Sequence, residues 1–424
     1  MSKIAVIGTG YVGLTTGACF SALGHDVVCA DIDEQKVESL RRGEIPILEA
    51  GLDQIVHEGI ESGRLTFVLG AASAAADCEF AYLCVPTPQG DDGSADLSYI
   101  QAAAREIADV LPAEAVVVNK STVPVGSTRV VERALGRDDV AVVSNPEFLR
   151  EGSAVHDFMN PDRIVIGADS QSAAIKVASL YLGVTAPLVV TDPASAETIK
   201  YAANSFLATK ISFINAVAAI CEAVGADIND VVLGIGYDKR IGHEFLRPGP
   251  GYGGSCFPKD TRAMVKIAEE GGYDFDLLKG VIEVNDEQFD RTAQKAVDVA
   301  GGDISGKQVA AWGLTFKART DDLRESPSLE VLGRLIDRGA KVRAYDPAVT
   351  STPREGIEVV SDPYDACDGA DVLLVLTEWD EFKWLDLDVV KQRMGNAAVV
   401  DARNLLDRSA LRRRGFEFRG VGRN

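Results

Sequence analysis

Short apolar runs alternate with longer amphipathic segments over the first part of the chain. The runs have the length of buried strands, and glycine-containing turns follow several of them. They are KIAVIG at 3–8, DVVCAD at 26–31, FAYLCV at 80–85, AVVVN at 115–119 and VAVVS at 140–144. Alternation of strand and helix predicts a parallel sheet whose strands are joined by right-handed helical crossovers.

The pattern changes near residue 191, where one long helix is predicted. Asp192 is a favourable N-cap, Pro193 suits the first helical position, and Gly225 suits the stop. No further Pro or Gly occurs up to Val224, and a helix of that size is about 45 Å long. Such a helix usually joins domains or carries a subunit interface. A Gly- and Pro-rich stretch at 240–260 follows it.

A second set of strand-like runs begins near Lys307. They are QVAAW at 308–312, KVRAY at 341–345, DVLLVL at 371–376 and AAVVD at 397–401. The predicted fold class is therefore α/β, with two Rossmann-like, doubly wound domains joined by a long central helix. The expected divisions are 1–190, 191–300 and 301–424.

Composition and charge limit the possible partners. Hydrophobic residues make up 46% and charged residues 25%, as in soluble globular proteins. The 43 Lys and Arg against 64 Asp and Glu give a net charge of −21, which argues against nucleic-acid and membrane partners. The start does not resemble a signal peptide, and no apolar run approaches the roughly 18 residues of a membrane span. The seven cysteines form no CxxC pair, so a reduced, cytoplasmic location is expected.

The first predicted strand leads directly into a G-x-G-x-x-G turn. Glycines let the backbone approach a pyrophosphate, and the N–H groups of the following helix N-terminus bind it. Asp31 ends the next strand, where a carboxylate can bind ribose hydroxyls and repel a 2′-phosphate. NAD is therefore favoured over NADP, and FAD stays possible on this motif alone. The residues of the turn are Gly8, Gly10, Tyr11, Val12 and Gly13.

The segment KSTVPVG at 120–126 follows another predicted strand. Ligands bind beyond the carboxyl ends of such strands, so Thr122 can donate a hydrogen bond to a substrate oxygen. The ordinary alternative is a strand-to-helix turn without a ligand.

The segment NPEFLREG follows the next predicted strand, at 145–152. Asn145 as a cap and Pro146 as the first residue predict a helical turn. Glu147 and Glu151 would then lie on one face, where like charges repel by a few tenths of a kcal/mol. The pair is either solvated surface or two catalytic carboxylates.

Two later segments carry further candidate chemistry. Lys200 and Asn204 share a face of the long helix, where Lys can stabilise an oxyanion and Asn can hold substrate or water; the alternative is a solvated face. Cys256 follows a glycine-rich loop and precedes Lys259 and Asp260. A nearby cation favours the thiolate, which is the nucleophilic form. The other six cysteines are interpreted as small buried residues.

No metal site is expected from the sequence. The histidines show no metal-ligand spacing, and the polar loop with its aspartates lacks the spacing of a calcium loop. The residues interpreted as structural are His25, His57, His156, His243, Asp91, Asp92 and Asp96.

Taken together, the motifs resemble those of the UDP-glucose/GDP-mannose dehydrogenases, in the family's order and spacing over nearly the whole chain. The motifs that carry this resemblance are GTGYVG at 8–13, CVPTP at 84–88, STVPVG at 121–126, NPEFLREG at 145–152, KYAANSF at 200–206, RIGHEFLRPGPGYGGSCFPKD at 240–260 and GLTFKARTDDLRESP at 313–327. The STVPVG and NPEFLREG forms are most like the family's UDP-glucose branch.

The resemblance implies a four-electron oxidation of the sugar C6 alcohol to a carboxylate with NAD. It also implies an NAD-binding domain at 1–190, a dimerisation region with the catalytic Cys loop at 191–300, and a UDP-sugar-binding domain at 301–424. The partners implied are a UDP-sugar substrate and a second copy of the chain, bound through the central helix as a homodimer or higher oligomer.

Residue roles follow from the same resemblance. The catalytic residues that it implies are Cys256 as nucleophile, Lys200, Asn204 and Asp260 acting on oxyanion and water, and Thr122, Glu147 and Glu151 in support. The cofactor contacts that it implies are Gly8, Gly10, Tyr11, Val12, Gly13, Asp31, Lys36, Val85, Pro86, Thr87, Thr122, Glu151, Lys259 and Arg324. The substrate contacts that it implies are Phe148, Leu149, Arg150, Lys200, Asn204, Phe245, Gly249, Tyr252, Gly253, Lys317 and, reaching a neighbouring subunit's site, Arg240.

Three alternatives stay open. The same chemistry could act on GDP-mannose or a UDP-N-acetylhexosamine. A two-electron hydroxyacid dehydrogenase shares a GxG fold and a Lys-x-x-x-Asn pair, but it has no need of Cys256. A catalytically silent NAD-binding regulator would not need a nucleophile either.

Overall fold

The computed structural model describes residues 1–90 and 95–423, so Asp91 and Asp92 lie outside the described residues. The chain divides into two compact units. The first is Met1–Ala203, and the second starts at Asn204.

The first unit is built on a sheet of eight strands. They are β1 (Lys3–Ile7), β2 (Asp26–Asp31), β3 (Leu65–Leu69), β4 (Phe80–Leu83), β5 (Val116–Asn119), β6 (Ala141–Ser144), β7 (Ile164–Gly167) and β8 (Leu188–Thr191). Their order is β3-β2-β1-β4-β5-β6-β7-β8. Strands β1 to β6 pair in parallel, while β7 is antiparallel to β6 and parallel to β8. The switch point between β1 and β4 is where doubly wound sheets bind ligands.

Helices cover both faces of this sheet. They are α1 (Tyr11–Ala22), α2 (Glu34–Arg41), α3 (Leu52–Glu61), α4 (Ala71–Ala75), α5 (Ser98–Ala108), α6 (Ser127–Leu135), α7 (Ala154–Met159) and α8 (Gln171–Ser179). Alternate residues of β1 enter different cores: Val6 packs with Leu14 of α1, and Ile7 packs with Ile100 of α5. Burial on both faces explains the unbroken apolar runs of the central strands.

The second unit contains a six-stranded sheet, which is parallel throughout. Its strands are β9 (Gln308–Trp312), β10 (Lys341–Tyr345), β11 (Ile357–Val359), β12 (Val372–Val375), β13 (Ala398–Asp401) and β14 (Glu417–Gly420). The order β11-β10-β9-β12-β13-β14 repeats the 3-2-1-4-5-6 arrangement of the first sheet. The predicted fold class, two Rossmann-like domains in one α/β chain, is confirmed.

The remaining helices follow a long helix, α9 (Pro193–Val224). They are α10 (Ile228–Gly236), α11 (Phe257–Glu270), α12 (Asp276–Val299), α13 (Pro327–Ile336), α14 (Pro363–Ala366), α15 (Leu387–Arg393), α16 (Arg408–Arg413) and a 3₁₀ helix, Asp380–Trp384. Apolar residues pack on both faces of the second sheet, with Val309 on one face and Ala310 on the other.

Helix α9 has the predicted ends. Asp192 Oδ1 accepts a hydrogen bond from the Ser195 N–H at 2.8 Å, and Gly225 has φ +77°. Among the residues that the structure describes, α9 is long and apolar enough to cross a membrane by length and composition. The sequence predicted no membrane span, because polar residues interrupt every apolar run before it reaches roughly 18 residues. Its buried Lys200 and Asn204 side chains are costly in lipid and suit a folded protein interior.

Candidate active site

The glycine turn after β1 is too crowded for side chains at two of its glycines. Gly8 has φ +94°, and a Cβ on it would lie 2.7 Å from the Cys84 carbonyl oxygen. A Cβ on Gly13 would lie 1.9 Å from the Gly8 carbonyl oxygen. No atom lies within 4 Å of a Cβ on Gly10, so this side of the turn is open. Because α1 begins at Tyr11, its free N–H groups face the turn, and a dinucleotide pyrophosphate fits there.

Asp31, the last residue of β2, is fixed beside this turn. Its Oδ2 accepts hydrogen bonds from the Thr9 N–H at 3.0 Å, the Thr9 hydroxyl at 2.5 Å and Lys36 Nζ at 3.0 Å. Burial alone would raise the pKa of Asp31, but these bonds outweigh it and lower the pKa to about 2. A charged, immobile carboxylate at this position is what binding of a ribose diol requires.

Two loops meet beyond β4 and β5, on the other side of the switch point. Thr87 Oγ1 donates a hydrogen bond to the Thr122 carbonyl oxygen at 2.9 Å, and Ser121 Oγ donates to the Val85 carbonyl oxygen at 2.7 Å. Because β4 and β5 pair in parallel, both loops leave the same edge of the sheet. The structure thus brings together Val85, Pro86, Thr87 and Thr122.

Glu147 and Lys200 form a buried ion pair. Lys200 Nζ lies 2.9 Å from Glu147 Oε1, and the two side chains are 4% and 5% exposed, respectively. The Phe148 ring lies beside them, with its centroid 5.4 Å from Lys200 Nζ. A preorganised ammonium in such a dry setting can stabilise a developing oxyanion.

The segment 145–152 does not form the predicted helical turn, because the first helix after β6 is α7, which begins at Ala154. The Asn145 side chain does not cap a helix. Its Oδ1 accepts hydrogen bonds from Lys120 Nζ at 3.2 Å and from the Tyr181 hydroxyl at 2.6 Å. This buried network holds the chain extended, so the two glutamates of the segment do not share a helix face, and that prediction is wrong.

Phe148, Leu149 and Arg150 line a cavity of about 140 Å³ in the first unit. Arg150 is held by Asp157, with Nη2 2.6 Å from Oδ1 and Nε 2.9 Å from Oδ2. The Arg163 guanidinium lies 3.6 Å from the centroid of the Phe148 ring. The predicted substrate segment therefore borders a cavity with two guanidinium groups in its wall.

Glu49 is a buried carboxylate that the sequence analysis missed. Its Oε2 accepts hydrogen bonds from the Tyr11 hydroxyl and from the Gly152 N–H, the latter at 2.7 Å, and its Oε1 accepts from the Ala154 N–H at 2.8 Å. Burial is the main cause that raises the pKa of Tyr11, and the negative charges of Glu49 and Glu151 raise it further. Glu49 thus joins the glycine turn to the end of the segment after β6.

Cys256 immediately precedes α11 in the second unit. Its Sγ lies 3.6 Å from Ser255 Oγ, and it is partly exposed, whereas the other six cysteines are buried. The free N–H groups and the dipole of a helix N-terminus favour a thiolate. Burial raises the pKa of four other thiols to about 12, as expected of inert cysteines: Cys19, Cys78, Cys84 and Cys367.

Asp260 lies one turn into α11 and is fully buried. Its Oδ2 accepts a hydrogen bond from Asn204 Nδ2 at 2.6 Å, and its Oδ1 accepts from Lys259 Nζ at 2.7 Å. The Asp260 N–H donates to the Cys256 carbonyl oxygen at 2.8 Å. The predicted residues gathered in the second unit are therefore Asn204, Cys256, Lys259 and Asp260. Lys200 lies one turn before Asn204 on α9, but it is paired with Glu147 in the first unit.

Three buried amide side chains hold the glycine loop ahead of α11. Asn215 Oδ1 accepts a hydrogen bond from the Gly249 N–H at 2.9 Å, and Gln288 Nε2 donates to the Gly249 carbonyl oxygen at 2.7 Å. Asn285 accepts from the Tyr252 N–H at 2.8 Å and donates to the Tyr252 carbonyl oxygen at 3.1 Å. The sequence analysis missed these amides because they lie on α9 and α12, far from the loop along the chain.

Aromatic rings gather around the residue after Cys256. The Phe245 and Tyr252 ring centroids each lie 6.1 Å from that of Phe257. Gly253 completes this arrangement, because a Cβ there would lie 2.0 Å from the Glu325 carbonyl oxygen. The predicted substrate residues of this loop thus lie close to α11.

Three predicted contacts remain, and one of them, Arg324, borders the glycine loop, because its carbonyl oxygen accepts a hydrogen bond from the Gly254 N–H at 3.1 Å. Arg240 and Arg324 are exposed and form ion pairs of 2.6 and 2.7 Å with the neighbouring Asp238 and Asp322. Lys317 Nζ lies 5.3 Å from the Phe316 ring centroid. Within residues 1–90 and 95–423, no three His, Cys, Asp or Glu side chains are grouped so as to hold a metal ion.

An open glycine turn with a fixed acidic residue beside it, set at the switch point of a doubly wound sheet, is typical of the dinucleotide-binding enzymes. Three models of one family match the chain in order. They describe the UDP-glucose/GDP-mannose dehydrogenase NAD-binding domain at 2–185, central domain at 194–287 and UDP-binding domain at 310–408. The chain belongs to the UDP-glucose/GDP-mannose dehydrogenase family.

Individual relatives agree with this assignment. The chain is 49% identical to the UDP-glucose 6-dehydrogenase of Rhizobium meliloti (strain 1021), over 99% of each chain. The structure of a UDP-glucose dehydrogenase from Pyrobaculum islandicum matches with a TM-score of 0.93 at 39% identity, over 100% of this chain and 98% of that one. A UDP-D-ManNAc dehydrogenase from Pyrococcus horikoshii matches with a TM-score of 0.89 at 28% identity, over 99% of each chain.

Proposed function

We propose that the protein is an NAD-dependent dehydrogenase that oxidises the C6 alcohol of UDP-glucose to the carboxylate of UDP-glucuronate. The observation that carries the chemistry is Cys256 at the N-terminus of α11, one turn before the buried Asp260. The relatives named UDP-glucose 6-dehydrogenase support the choice of sugar.

The open turn at Gly10 and the fixed carboxylate of Asp31 suit NAD, which when bound supplies the hydride acceptor. Three partners already bind Asp31 Oδ2. Two of them come from Thr9 in the turn, while Lys36 is a long, flexible side chain. We therefore expect a ribose hydroxyl to take the place of the Lys36 ammonium, which can then contact the cofactor itself.

The four-electron reaction explains why a cysteine is needed. Loss of a hydride from the alcohol carbon and a proton from its oxygen gives an aldehyde, which cannot donate a second hydride until its carbon is tetrahedral. The Cys256 thiolate adds to that carbon and forms a thiohemiacetal. Loss of the second hydride gives a thioester, and water releases the carboxylate and the free thiol.

The remaining polar residues have roles that fit this sequence of steps. The Lys200 ammonium stabilises the oxyanion that develops in each half. Asp260 acts as the general base that takes a proton from the attacking water. Asn204 orients the Asp260 carboxylate through the 2.6 Å hydrogen bond. In this proposal Thr122, Glu147 and Glu151 support the reacting groups.

The substrate and assembly assignments also belong to the proposal. The division into 1–190, 191–300 and 301–424 gives NAD-binding, catalytic and dimerisation, and UDP-sugar-binding regions. The protein is expected to be cytoplasmic and at least dimeric, without nucleic-acid or membrane partners. The substrate contacts proposed are Phe148, Leu149, Arg150, Lys200, Asn204, Arg240, Phe245, Gly249, Tyr252, Gly253 and Lys317. Lys259, Arg324 and Glu151 are proposed as cofactor contacts.

One assay tests the function. Purified protein is mixed with NAD and, separately, with UDP-glucose, UDP-N-acetylglucosamine, UDP-N-acetylmannosamine or GDP-mannose, and both NADH and sugar product are measured. Two NADH per uronate from UDP-glucose alone support the proposal. Activity with another sugar only would keep the mechanism and change the substrate. One NADH per product would indicate a two-electron dehydrogenase, and no activity would favour a regulator.

Cys256→Ser tests the covalent route. We expect net turnover to be largely abolished while nucleotide binding survives, because the serine hydroxyl is a far weaker nucleophile than a thiolate. Uronate formation and nucleotide binding are both measured. Cys78→Ala, which removes a buried thiol of the first unit, is the control and should keep activity. Near-normal uronate formation by Cys256→Ser would refute the thioester route.

A further inference from the structure

Glu197 is a buried acidic residue on α9 to which the reaction scheme gives no role. It is 2% exposed and lies one turn before Lys200. Both residues therefore occupy the same face of the helix. A carboxylate at such a depth is expensive unless hydrogen bonds replace its water.

The Glu197 carboxylate is bonded entirely to the start of α6. Its Oε2 accepts a hydrogen bond from the Gly126 N–H at 2.6 Å. Its Oε1 accepts from the Thr128 N–H at 2.9 Å and the Thr128 hydroxyl at 2.7 Å. Gly126 occupies the N-cap position of α6 and has no side chain to cap it. Glu197 thus supplies the cap from another helix, where its charge also meets the positive end of the helix dipole.

This contact reaches the segment that carries Thr122. Gly126 ends the loop that begins at Lys120 after β5. The start of this loop is bonded to the residues that end or follow β4 and β6, through hydrogen bonds from Lys120 to Asn145 and from Ser121 to Val85. The Thr122 carbonyl oxygen accepts a hydrogen bond from Thr87. On the other side, the same face of α9 presents Lys200 to Glu147 at 2.9 Å. One rigid helix therefore holds both Lys200 and the end of the Thr122 loop.

We propose that Glu197 is a positioning residue for the oxidation, which sets the place of Thr122 relative to Lys200 by anchoring the loop and the first turn of α6. The inference rests on the proposed function, because it gives Glu197 a role in that reaction. A misplacement of about 1 Å in such a site costs about 100-fold in rate. Glu197 acts on the transition state through its neighbours, so its loss lowers kcat more than it raises KM.

Glu197→Gln is the first test. The glutamine keeps the size of the side chain but has one acceptor oxygen, and its amide group faces an N–H donor. We expect kcat with UDP-glucose and NAD to fall at least about 10-fold, with each KM changed less than about 3-fold. Val131→Ala is the matched control, because Val131 is a fully buried residue of α6 that contacts the core instead of the cap. It should lower Tm as much or more and leave kcat nearly unchanged.

Thr128 provides a second pair of variants in case Glu197→Gln fails to fold. Thr128→Val removes only the hydroxyl donor and should lower kcat. Thr128→Ser keeps the hydroxyl donor and should have a kcat close to that of the wild type. If Glu197→Gln keeps the wild-type kcat, or if kcat falls in proportion to Tm in every variant including Val131→Ala, the positioning role is overturned.

Amide hydrogen exchange separates this inference from the proposed function. In the wild-type protein the Gly126 and Thr128 N–H groups should be protected, and Thr128→Val should speed their exchange while the centre of α6 stays protected. Slow exchange in every variant would overturn the anchor. If the wild-type protein turned over no nucleotide sugar, the proposed function would fail, and the exchange result would still decide whether Glu197 anchors the loop.

Discussion

Asp31 and Asp346 are equivalent residues of the two sheets, and their hydrogen bonds differ in one respect. Asp346 directly follows β10, as Asp31 ends β2. Its Oδ2 accepts hydrogen bonds from two backbone N–H groups at 2.7 and 3.1 Å, from the Thr315 hydroxyl at 3.2 Å and from Trp379 Nε1 at 3.2 Å. The corresponding oxygen of Asp31 has the flexible Lys36 as its third partner. Backbone amides, a fully buried threonine hydroxyl and a packed indole move away less readily than the end of a lysine side chain. Asp31 is therefore better suited than Asp346 to exchange a partner for a ribose hydroxyl.

Replacing Asp31 tests its role in cofactor choice. In Asp31→Ala the ribose loses its acceptor and a 2′-phosphate is no longer repelled, so we expect kcat/KM for NAD to fall by about 10-fold or more and NADP use to rise. Steady-state kinetics with both cofactors measure the ratio. Asp362→Ala, which removes the cap of α14, is the control and should leave the ratio unchanged. An unaltered NAD/NADP preference in Asp31→Ala would count against the ribose contact.

Asp401, the last residue of β13, links stability to pH. Burial raises its pKa to about 6, although hydrogen bonds from the Leu406 and Arg403 N–H groups oppose this. The unfolded chain ionises near the ordinary value of about 3.9. The stabilising contribution of protonated Asp401 is therefore complete below about pH 4 and is lost as pH rises through about 6, by about 3 kcal/mol.

Asp401→Asn should remove this dependence. Relative to wild type, the variant's free energy of unfolding should increase between about pH 4 and pH 6, whatever constant offset the new amide introduces. Urea unfolding across this range measures the slope. The control is Asp407→Asn. Asp407 caps α16, and hydrogen bonds from the Ala410 and Ser409 N–H groups lower its pKa, so its stabilising contribution is lost as pH falls. Parallel pH curves for wild type and Asp401→Asn would contradict the assignment.

At the residue scale, the sequence could predict the side chains that carry chemistry. It did not reveal the side chains that hold those residues in place. Asn204, Lys259 and Asp260 lie in motifs, and the structure brings them together. Glu49 and Glu197 act on partners about a hundred and about seventy residues away. Such pairs depend on how strands pair and helices pack, which local patterns do not contain.

At the scale of elements, the central strands and the long helix could be predicted, and the outer strands could not. Strands β3, β8, β11 and β14 form the sheet edges, and β7 lies beside one of them. Strands β3, β11 and β14 mix polar with apolar residues, so they lack a continuous apolar run. Strands β7 and β8 have apolar runs, but these are only three or four residues long, too short for periodicity to identify them as strands. The reversal of β7 was also not predicted, since an antiparallel neighbour needs no helical crossover pattern.

The glycine loop ahead of α11 offers a test of how closely two loops must meet. In Gly253→Ala the new Cβ would lie 2.0 Å from the Glu325 carbonyl oxygen, so backbone must move. We expect a loss of about 1–3 kcal/mol in stability and a higher KM for the sugar nucleotide. Chemical unfolding and steady-state kinetics measure both.

Gly234→Ala is the matched control for this change. Gly234 lies in α10 with no atom within 4 Å of a Cβ, so alanine should stabilise the helix by about 0.5–1 kcal/mol and leave KM unchanged. A wild-type KM and stability in Gly253→Ala would show that the loop contact is unimportant.

At the scale of the whole molecule, α9 carries an exposed apolar stripe. Phe206, Phe213 and Ile220 recur every seven residues and are 65%, 56% and 60% exposed. Large apolar side chains in a row at helical spacing are typical of an interface with another chain. The stripe supports the proposed homodimer through the central helix.

Phe213→Glu should weaken that assembly. A charge in the middle of an apolar interface loses its water, so we expect Phe213→Glu to have a smaller mass in solution than the wild-type oligomer. Sedimentation equilibrium at several protein concentrations measures the mass. Gln392→Glu, which adds the same charge to the exposed face of α15, should have no effect. A monomeric wild type, or an unchanged mass in Phe213→Glu, would contradict an interface at this stripe.

The boundary between the two units falls inside α9, between Ala203 and Asn204. A gene split at this point would separate Lys200 from Asn204 and leave the broken helix with unsatisfied backbone carbonyl and N–H groups on both fragments. Fragment complementation therefore calls for breaks at either end of α9, with the whole helix on one piece. The same constraint applies to any exchange of domains with a relative: the helix has to be inherited intact, since it carries parts of both clusters.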